Sequence, residues 1–273
     1  MSDRVTVTVE AGVADVRLNR PDKRNALDGA MFLALAEAGE RMKTETALRA
    51  VVLSGEGASF CAGLDFGSFQ QMADGDVESA SAQRGNPAEM ADGRITHLGQ
   101  QVAWVWQEVP VPVIAAVHGH ALGGGIQIAL GADIRIVHPD AQLSVREIHW
   151  GLIPDMTGTL MLTRLVRPDV AKELTFTGRI VSGVEAVELG LATRLSDAPR
   201  EDALALAREI AGRSPEAVRG AKALFNRLLG EDAAVQFAEE RAVIGGLIGG
   251  ANQIESVMAN FEKRPPVFID PPI

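Results

Sequence analysis

The sequence has no tyrosine, and aromatic residues make up only 4 % of its 273 positions. A surface of aromatic platforms for stacking nucleobases is therefore excluded. Basic residues are also in short supply: 26 Lys and Arg face 36 Asp and Glu, a net charge of −10. They form no cluster of the kind that neutralises phosphates, so no nucleic-acid partner is expected. A single cysteine, Cys61, rules out an intrachain disulfide and a cysteine-based zinc site. The apolar stretch 109–117 is interrupted by Pro110 and Pro112 and is too short to cross a bilayer, so no membrane partner is expected either. Met1-Ser2-Asp3-Arg4 leads straight into alternating Val and Thr, without a secretory apolar region. The setting implied is soluble, reducing and cytoplasmic. No G-x-x-x-x-G-K-[ST], G-x-G-x-x-G after a strand, G-x-S-x-G or H-E-x-x-H occurs, which removes the common nucleotide, nucleophile-elbow and zinc-protease motifs.

What is present is an α/β pattern followed by helices. Val5, Val7 and Val9 alternate with polar residues, Glu10-Ala11-Gly12 supplies a turn, and 13–18 alternates again, predicting a hairpin. Asp28 is placed to cap a helix over 30–43. Strands are predicted over 48–54, 113–117, 133–137 and 142–145. Helices are predicted near 97–108 and over 126–130, 157–166, 169–176, 184–189, 200–212, 215–229 and 232–262. Residues 67–96 lack periodicity and read as a surface insertion. Strand exits recur at 51–57, 113–119 and 133–140, which suggests stacked ββα units rather than a doubly wound nucleotide fold.

Two glycine-rich strand exits could carry chemistry. In Ser59-Phe60-Cys61-Ala62-Gly63-Leu64-Asp65, Gly63 can adopt a backbone conformation closed to other residues and aim the Leu64 N–H into a cavity. A plain tight turn is the competing explanation. Cys61 has no electropositive neighbour in the sequence, so a structural thiol is favoured over a nucleophile. In His118-Gly119-His120-Ala121-Leu122-Gly123-Gly124-Gly125, three glycines at a helix start expose unpaired N–H groups, as an oxyanion or anion site requires. Close helix–strand packing is the alternative there. His118 and His120 lack an evident third metal ligand and read as structural.

These segments, taken in order, resemble the crotonase (enoyl-CoA hydratase/isomerase) superfamily. The resemblance rests on Asn19-Arg20-Pro21 with Asn25-Ala26-Leu27, on Phe60 to Asp65, and on Val117-His118-Gly119 with Gly123-Gly124-Gly125. It continues through Arg146-Glu147-Ile148, Gly151-Leu152-Ile153-Pro154, Thr177-Gly178-Arg179 and Glu262-Lys263-Arg264-Pro265-Pro266. It implies an α/β crotonase-like spiral of repeated ββα units over 1–200, holding the CoA and catalytic site, and a C-terminal helical oligomerisation region over 201–273. It further implies an acyl-CoA thioester substrate, with coenzyme A entering only as part of that substrate and no metal. The oxyanion hole would be the backbone N–H groups of Leu64 and Gly124. Arg24, Ala26, Ala62, Gly63, Asp65 and Lys263 would contact the substrate or its CoA portion. The partner would be the chain itself, as a homotrimer or a dimer of trimers.

The same resemblance points to the acid/base groups. Hydratases of the superfamily use two glutamates, and here the corresponding places hold Gln127 and Glu147. Glutamine does not exchange protons at neutral pH. The stretch 145–165 is similar to dienoyl-CoA isomerases, in which carboxylates at the places of Glu147 and Asp155 move a proton. Asp155 read without that likeness is a helix N-cap. The favoured expectation is an isomerase using Glu147 with Asp155. A hydratase, with Glu147 as acid/base and Gln127 orienting water, and a non-catalytic acyl-CoA binder are the alternatives.

Overall fold

The computed structural model describes residues 4–67 and 93–269. β1 (Val5–Glu10) and β2 (Val13–Leu18) form the predicted hairpin, in register from Val5↔Leu18 to Glu10↔Val13. Ala11 and Gly12, both at positive φ, make the two-residue turn that matches strand twist. The following helix, α1 (Gly29–Thr44), is capped as predicted: the Asp28 carboxylate accepts the Met31 N–H at 2.8 Å. The helix buries Met31, Leu35 and Met42 and returns the chain to β3 (Ala50–Gly55), which pairs parallel with β2.

Thereafter the strands follow one another across the sheet. β4 (Val113–Val117), β6 (Ile134–Val137) and β9 (Arg194–Leu195) extend it in the order β1-β2-β3-β4-β6-β9, with every pair after the first parallel. The order never reverses, so a doubly wound switch point does not arise. A second, smaller sheet contains β5 (His120–Leu122), β7 (Gln142–Ser144) and β8 (Val181–Ser182) in the order β5-β7-β8. α1 and α2 (Leu98–Glu108) pack against each other over the main core. On the opposite face, Ala50, Val52, Ile114, Ala116 and Ile136 meet Ala203 and Ala207 of α7 (Pro199–Ala211). Strands covered on both faces need apolar residues at consecutive positions, which is why β3 and β4 read as unbroken apolar runs.

α3 (Gly124–Leu130), α4 (Gly158–Leu165), α5 (Pro168–Thr177) and α6 (Gly183–Leu189) lie within a residue or two of their predicted spans. The C-terminal helices do not follow the prediction. The expected break near 230–232 is absent: α8 runs unbroken over Pro215–Leu247, and α9 covers Ala251–Glu262. A lone glycine inside a long helix costs only about 1 kcal/mol. The chain breaks instead at Gly249, whose φ of +74° ends helical continuity. α8 is fastened to the core by Lys222, whose ammonium donates to Trp106 O (2.9 Å), Val111 O (3.0 Å) and the Asp133 carboxylate (2.7 Å). The segment read as an insertion falls mostly at 68–92, outside the described residues.

Candidate active site

The two glycine-rich loops lie against each other. Cys61 N–H donates to His120 O at 2.8 Å, and Leu122 N–H to Cys61 O at 3.1 Å. Bridges Leu27↔Leu64 and Cys61↔Ala121 add to this pairing. Most amides here are spent on the fold: Ala62 N–H on Arg24 O, Asp65 N–H on Leu27 O and Gly123 N–H on Ser144 O. Among the described residues, the N–H groups of Leu64 and Gly124 have no acceptor. Two unspent donors on adjoining loops form the arrangement that can receive a developing oxyanion.

Glu147 stands over this pair of loops. It opens a 3-10 turn (Glu147–Trp150) that follows β7, and its Oε1 lies 3.4 Å from where a side chain on Gly123 would begin. Gly123 has φ +53°, a conformation that favours glycine in any case. The Glu147 carboxyl is buried, and its Oε2 has no hydrogen-bond partner among the described residues. Burial pushes its pKa up to about 8; the nearby Asp155 carboxylate adds to the rise, and the Gln127 amide opposes it.

Gln127, on α3, fixes the other oxygen of Glu147. Its Nε2 donates to Glu147 Oε1 at 2.6 Å, while its own oxygen accepts from Met156 N–H (2.8 Å) and Gly158 N–H (3.0 Å). Those two backbone donors settle which end of the amide faces Glu147. A β-carbon at residue 158 would approach Gln127 Oε1 to 2.5 Å, so only glycine lets the helix start come this close.

Asp155 is half-buried just before α4 and is not its N-cap. The cap position is Thr157, at φ +70° and with no side-chain capping bond. The helix-start amides are taken from elsewhere: Gln127 holds those of 156 and 158, and Glu240 holds those of 157 and 159. Asp155 is thereby free of a capping duty. Burial raises its pKa to about 7, with a further push from the charge of Glu240.

The expected substrate-contact residues divide. Arg24 is exposed at the edge of the first loop, its guanidinium 3.5 Å from His120 Nε2, and Ala26, Ala62 and Gly63 are part of the same loop structure. Asp65 instead secures that loop: Oδ2 accepts from Arg20 at 2.7 Å and Oδ1 from Gly67 N–H at 2.9 Å. Partial burial alone would raise its pKa, but Gly67 and Arg20 together hold it below the usual value. Lys263 is the C-cap of α9, in a left-handed conformation, and its side chain is exposed. Cys61 is fully buried, its thiol donates to Asn25 O, and burial pushes its pKa up to about 12; it is not a nucleophile. His118 donates to Gly57 O at 2.9 Å, and His120 shares a hydrogen with Ser59 Oγ at 2.9 Å. Among the described residues no three His, Cys, Asp or Glu side chains gather as a metal site.

Glu240 is the residue sequence reading missed. It lies in an ordinary charged stretch of α8, 81 residues from the threonine it bonds. An apolar wall also escaped notice. Leu152, Ile244 and Val257 cluster with Leu64, Trp150, Ile153 and Ile248. Phe66, Trp150 and Phe261 add three rings with centroids 5.9–6.4 Å apart. This wall adjoins the Leu64 loop and the Glu147 turn.

A family model described as enoyl-CoA hydratase/isomerase matches residues 8–271. Mouse enoyl-CoA hydratase domain-containing protein 2, a mitochondrial protein, is 35 % identical over 266 residues, covering 94 % of this chain and 84 % of that one. Mouse mitochondrial methylglutaconyl-CoA hydratase is 31 % identical over 264 residues, covering 94 % and 79 %. Among solved structures, an enoyl-CoA hydratase/isomerase from Mycobacterium paratuberculosis superposes with a TM-score of 0.84 at 27 % identity, covering 94 % of this chain and 98 % of the other.

Proposed function

The chain belongs to the enoyl-CoA hydratase/isomerase family, and on that premise we propose that it shifts a double bond within an enoyl- or dienoyl-CoA thioester. The thioester carbonyl sits between the Leu64 and Gly124 N–H groups, which stabilise the enolate oxygen; each such donor is worth about 3–4 kcal/mol. Glu147 takes a proton from one carbon and Asp155 supplies one to another, so the substrate is neither oxidised nor hydrated. The apolar wall around Leu152 and Trp150 lies against the acyl chain. Arg24, with the 62–63 backbone and Ala26, lies along the CoA portion, and Lys263 reaches its phosphates from this subunit or another.

The observation that carries this reading is the pairing of two raised-pKa carboxyls, Glu147 and Asp155, with Gln127 in place of a third acid. Gln127 has both acceptor positions filled by backbone amides, so it cannot accept a hydrogen bond from a reacting water. Hydration is the second reading, favoured by the hydratase names of the two mouse relatives. In it, Glu147 alone activates the water.

Wild-type protein and Asp155→Asn, each assayed with a conjugating dienoyl-CoA and with crotonyl-CoA, separate the two. Isomerisation is expected from the wild type, and a loss of about 10²-fold or more from Asp155→Asn. Crotonyl-CoA hydration at about 10 s⁻¹, the typical enzyme rate, replaces isomerase with hydratase, whereas full isomerisation by Asp155→Asn removes Asp155 from the mechanism.

We also propose that the chain self-associates as a trimer or a pair of trimers through its C-terminal helices. α8 leaves Leu224, Phe225 and Val235 exposed, and a side chain added at Gly245, Gly246 or Gly249 would meet nothing within 4 Å. Among the described residues nothing packs on these glycines, and the apolar side chains named with them are exposed. Sedimentation at a multiple of the 28.9 kDa chain is expected; a stable monomer overturns it. Among the described residues no helix is long and apolar enough to cross a membrane. The cytoplasmic setting read from the sequence is narrower than the family, whose mouse members are named as mitochondrial.

A further inference from the structure

Glu240 is 2 % exposed, yet it is a carboxylate on a surface-running helix. Its oxygens collect four donors. Oε1 accepts from Thr159 Oγ1 (2.5 Å) and Thr159 N–H (3.3 Å), and Oε2 accepts from Thr157 N–H and from Gln100 Nε2, both at 3.1 Å. Two more side chains steady this arrangement. Gln236 donates to Thr159 Oγ1 at 2.7 Å, and Gln100 is held through its own oxygen by Arg241 at 3.0 Å. Burying a carboxylate costs several kcal/mol unless donors compensate, and an ordinary helix cap would use a local Ser, Thr or Asp instead. The residue that benefits is two positions from the first amide Glu240 holds: Asp155.

We propose that Glu240, carried by α8, is a positioning residue for the reaction: it grips the 157–159 backbone and so fixes the Asp155 carboxyl in relation to Glu147. Gln127 grips the same turn from α3 while holding Glu147 directly. The two acid/base groups are thus registered through one short backbone segment clamped from both sides. Glu240 has an electrostatic role as well. Its charge favours the protonated form of Asp155, and Asp155 in turn does the same for Glu147. Among the described residues, the charged or titratable groups around this row include Glu147 on the 3-10 turn, Glu240 and Arg241 on α8, and His97 at the start of α2. Burial and the charge of Arg241 lower the His97 pKa to about 4, which keeps that ring neutral at neutral pH. The C-terminal helix thereby acts on the site of its own subunit through the 157–159 backbone, to which Glu240 is bonded.

The inference rests on the isomerase reading, and its test is chosen to stand apart from that reading. Glu240→Gln removes the charge and keeps one acceptor oxygen, for either the Thr159 or the Thr157 side, while its amide NH2 faces the donors on the other side. Glu240→Ala removes both. The carboxyl of Asp155 is followed by ¹³C NMR titration in the substrate-free protein, with Asp155→Asn identifying its signal. Turnover, KM and melting temperature are measured alongside. In Glu240→Gln, the Asp155 titration should move down toward the ordinary aspartate range, kcat should fall about tenfold, and KM should stay within twofold. Glu240→Ala should lose about 10²-fold in kcat, the scale expected for a misplaced catalytic group. If Glu240→Gln titrates at Asp155 and turns over as the wild type does, whether or not its melting temperature drops, Glu240 is only a helix cap and the proposal fails. If the wild type hydrates rather than isomerises, the isomerase reading fails, while the Asp155 titration still decides whether Glu240 acts on it.

Discussion

Glu147→Gln is expected to lower turnover of any unsaturated acyl-CoA by about 10²–10⁴-fold, the range for loss of a positioned acid or base. The substitution is nearly isosteric, and the new amide oxygen can still accept from Gln127 Nε2, now at 2.6 Å from Glu147 Oε1. Its only chemical consequence is the loss of a proton-exchanging group at the mouth of the Leu64 and Gly124 amides. The pH behaviour identifies that loss. In the wild type the Glu147 and Asp155 pair titrates near 7 to 8. A bell-shaped kcat/KM profile with both limbs in that region is expected, its apparent values belonging to the pair. Glu147→Gln should remove one limb. Stability provides the control. A carboxyl whose folded pKa is raised binds more protons folded than unfolded, so its contribution is complete at low pH and is lost as pH rises through the folded value. Wild-type stability should therefore decline between about pH 4.5 and 8, from the ordinary glutamate value to the folded one. The variant should lack that part of the decline and melt no lower than the wild type at pH 8. Turnover within tenfold of wild type would remove Glu147 from the mechanism.

The second large effect is expected from Gln127→Glu. The new carboxylate would keep one oxygen on the Met156 and Gly158 amides and turn the other toward Glu147 at the 2.6 Å now spanned by an N–H donor. Two carboxylates at that distance cannot both ionise; one proton must be shared, and one pKa rises steeply. Glu147 would lose its fixed donor and with it part of its capacity to act as a base on carbon. Isomerisation should fall by about tenfold or more, and crotonyl-CoA hydration should rise, because a protonated and an ionised carboxyl can then hold and split one water. Product analysis by chromatography measures both from the same mixture. Isomerisation unchanged beside a carboxylate at 127 would show that the Gln127 amide does not set the state of Glu147.

The residues of the site differ in how far their roles could be read from the chain. Gly63 and Gly123 announce themselves because positive φ is a local requirement, and the structure has both there. Asp28 announces a helix start for the same reason, since capping reaches only three residues. Asp155 sits where a cap is often found, and the local rule misleads. The cap of α4 comes from Glu240 and Gln127, and neither is within hydrogen-bonding range along the sequence. The break in the C-terminal helices was misplaced by a similar limitation. Gly249 and any other glycine look alike in sequence, and only the packing around each decides which one leaves the helix. The two- and three-residue strands β5, β8 and β9 are too short to show a period.

Glu147 and Asp155 stand out as the acids to consider only through the family resemblance; by itself, the amino-acid sequence determined the α/β class, the main strands, the capped first helix and the two glycine-rich loops. Each of these depends on periodicity, capping or backbone freedom, all of which act over a few residues. Tertiary structure alone decided that Asp65 ties down a loop, that Gln127 is locked onto Glu147, that Asp155 is relieved of capping, and that α8 sends Glu240 to the turn beside it. Those outcomes depend on which side chains, tens of residues apart, share a volume from which water is excluded. There an unpaired charge or amide is costly, and each polar group must take whatever partner the fold has brought within reach.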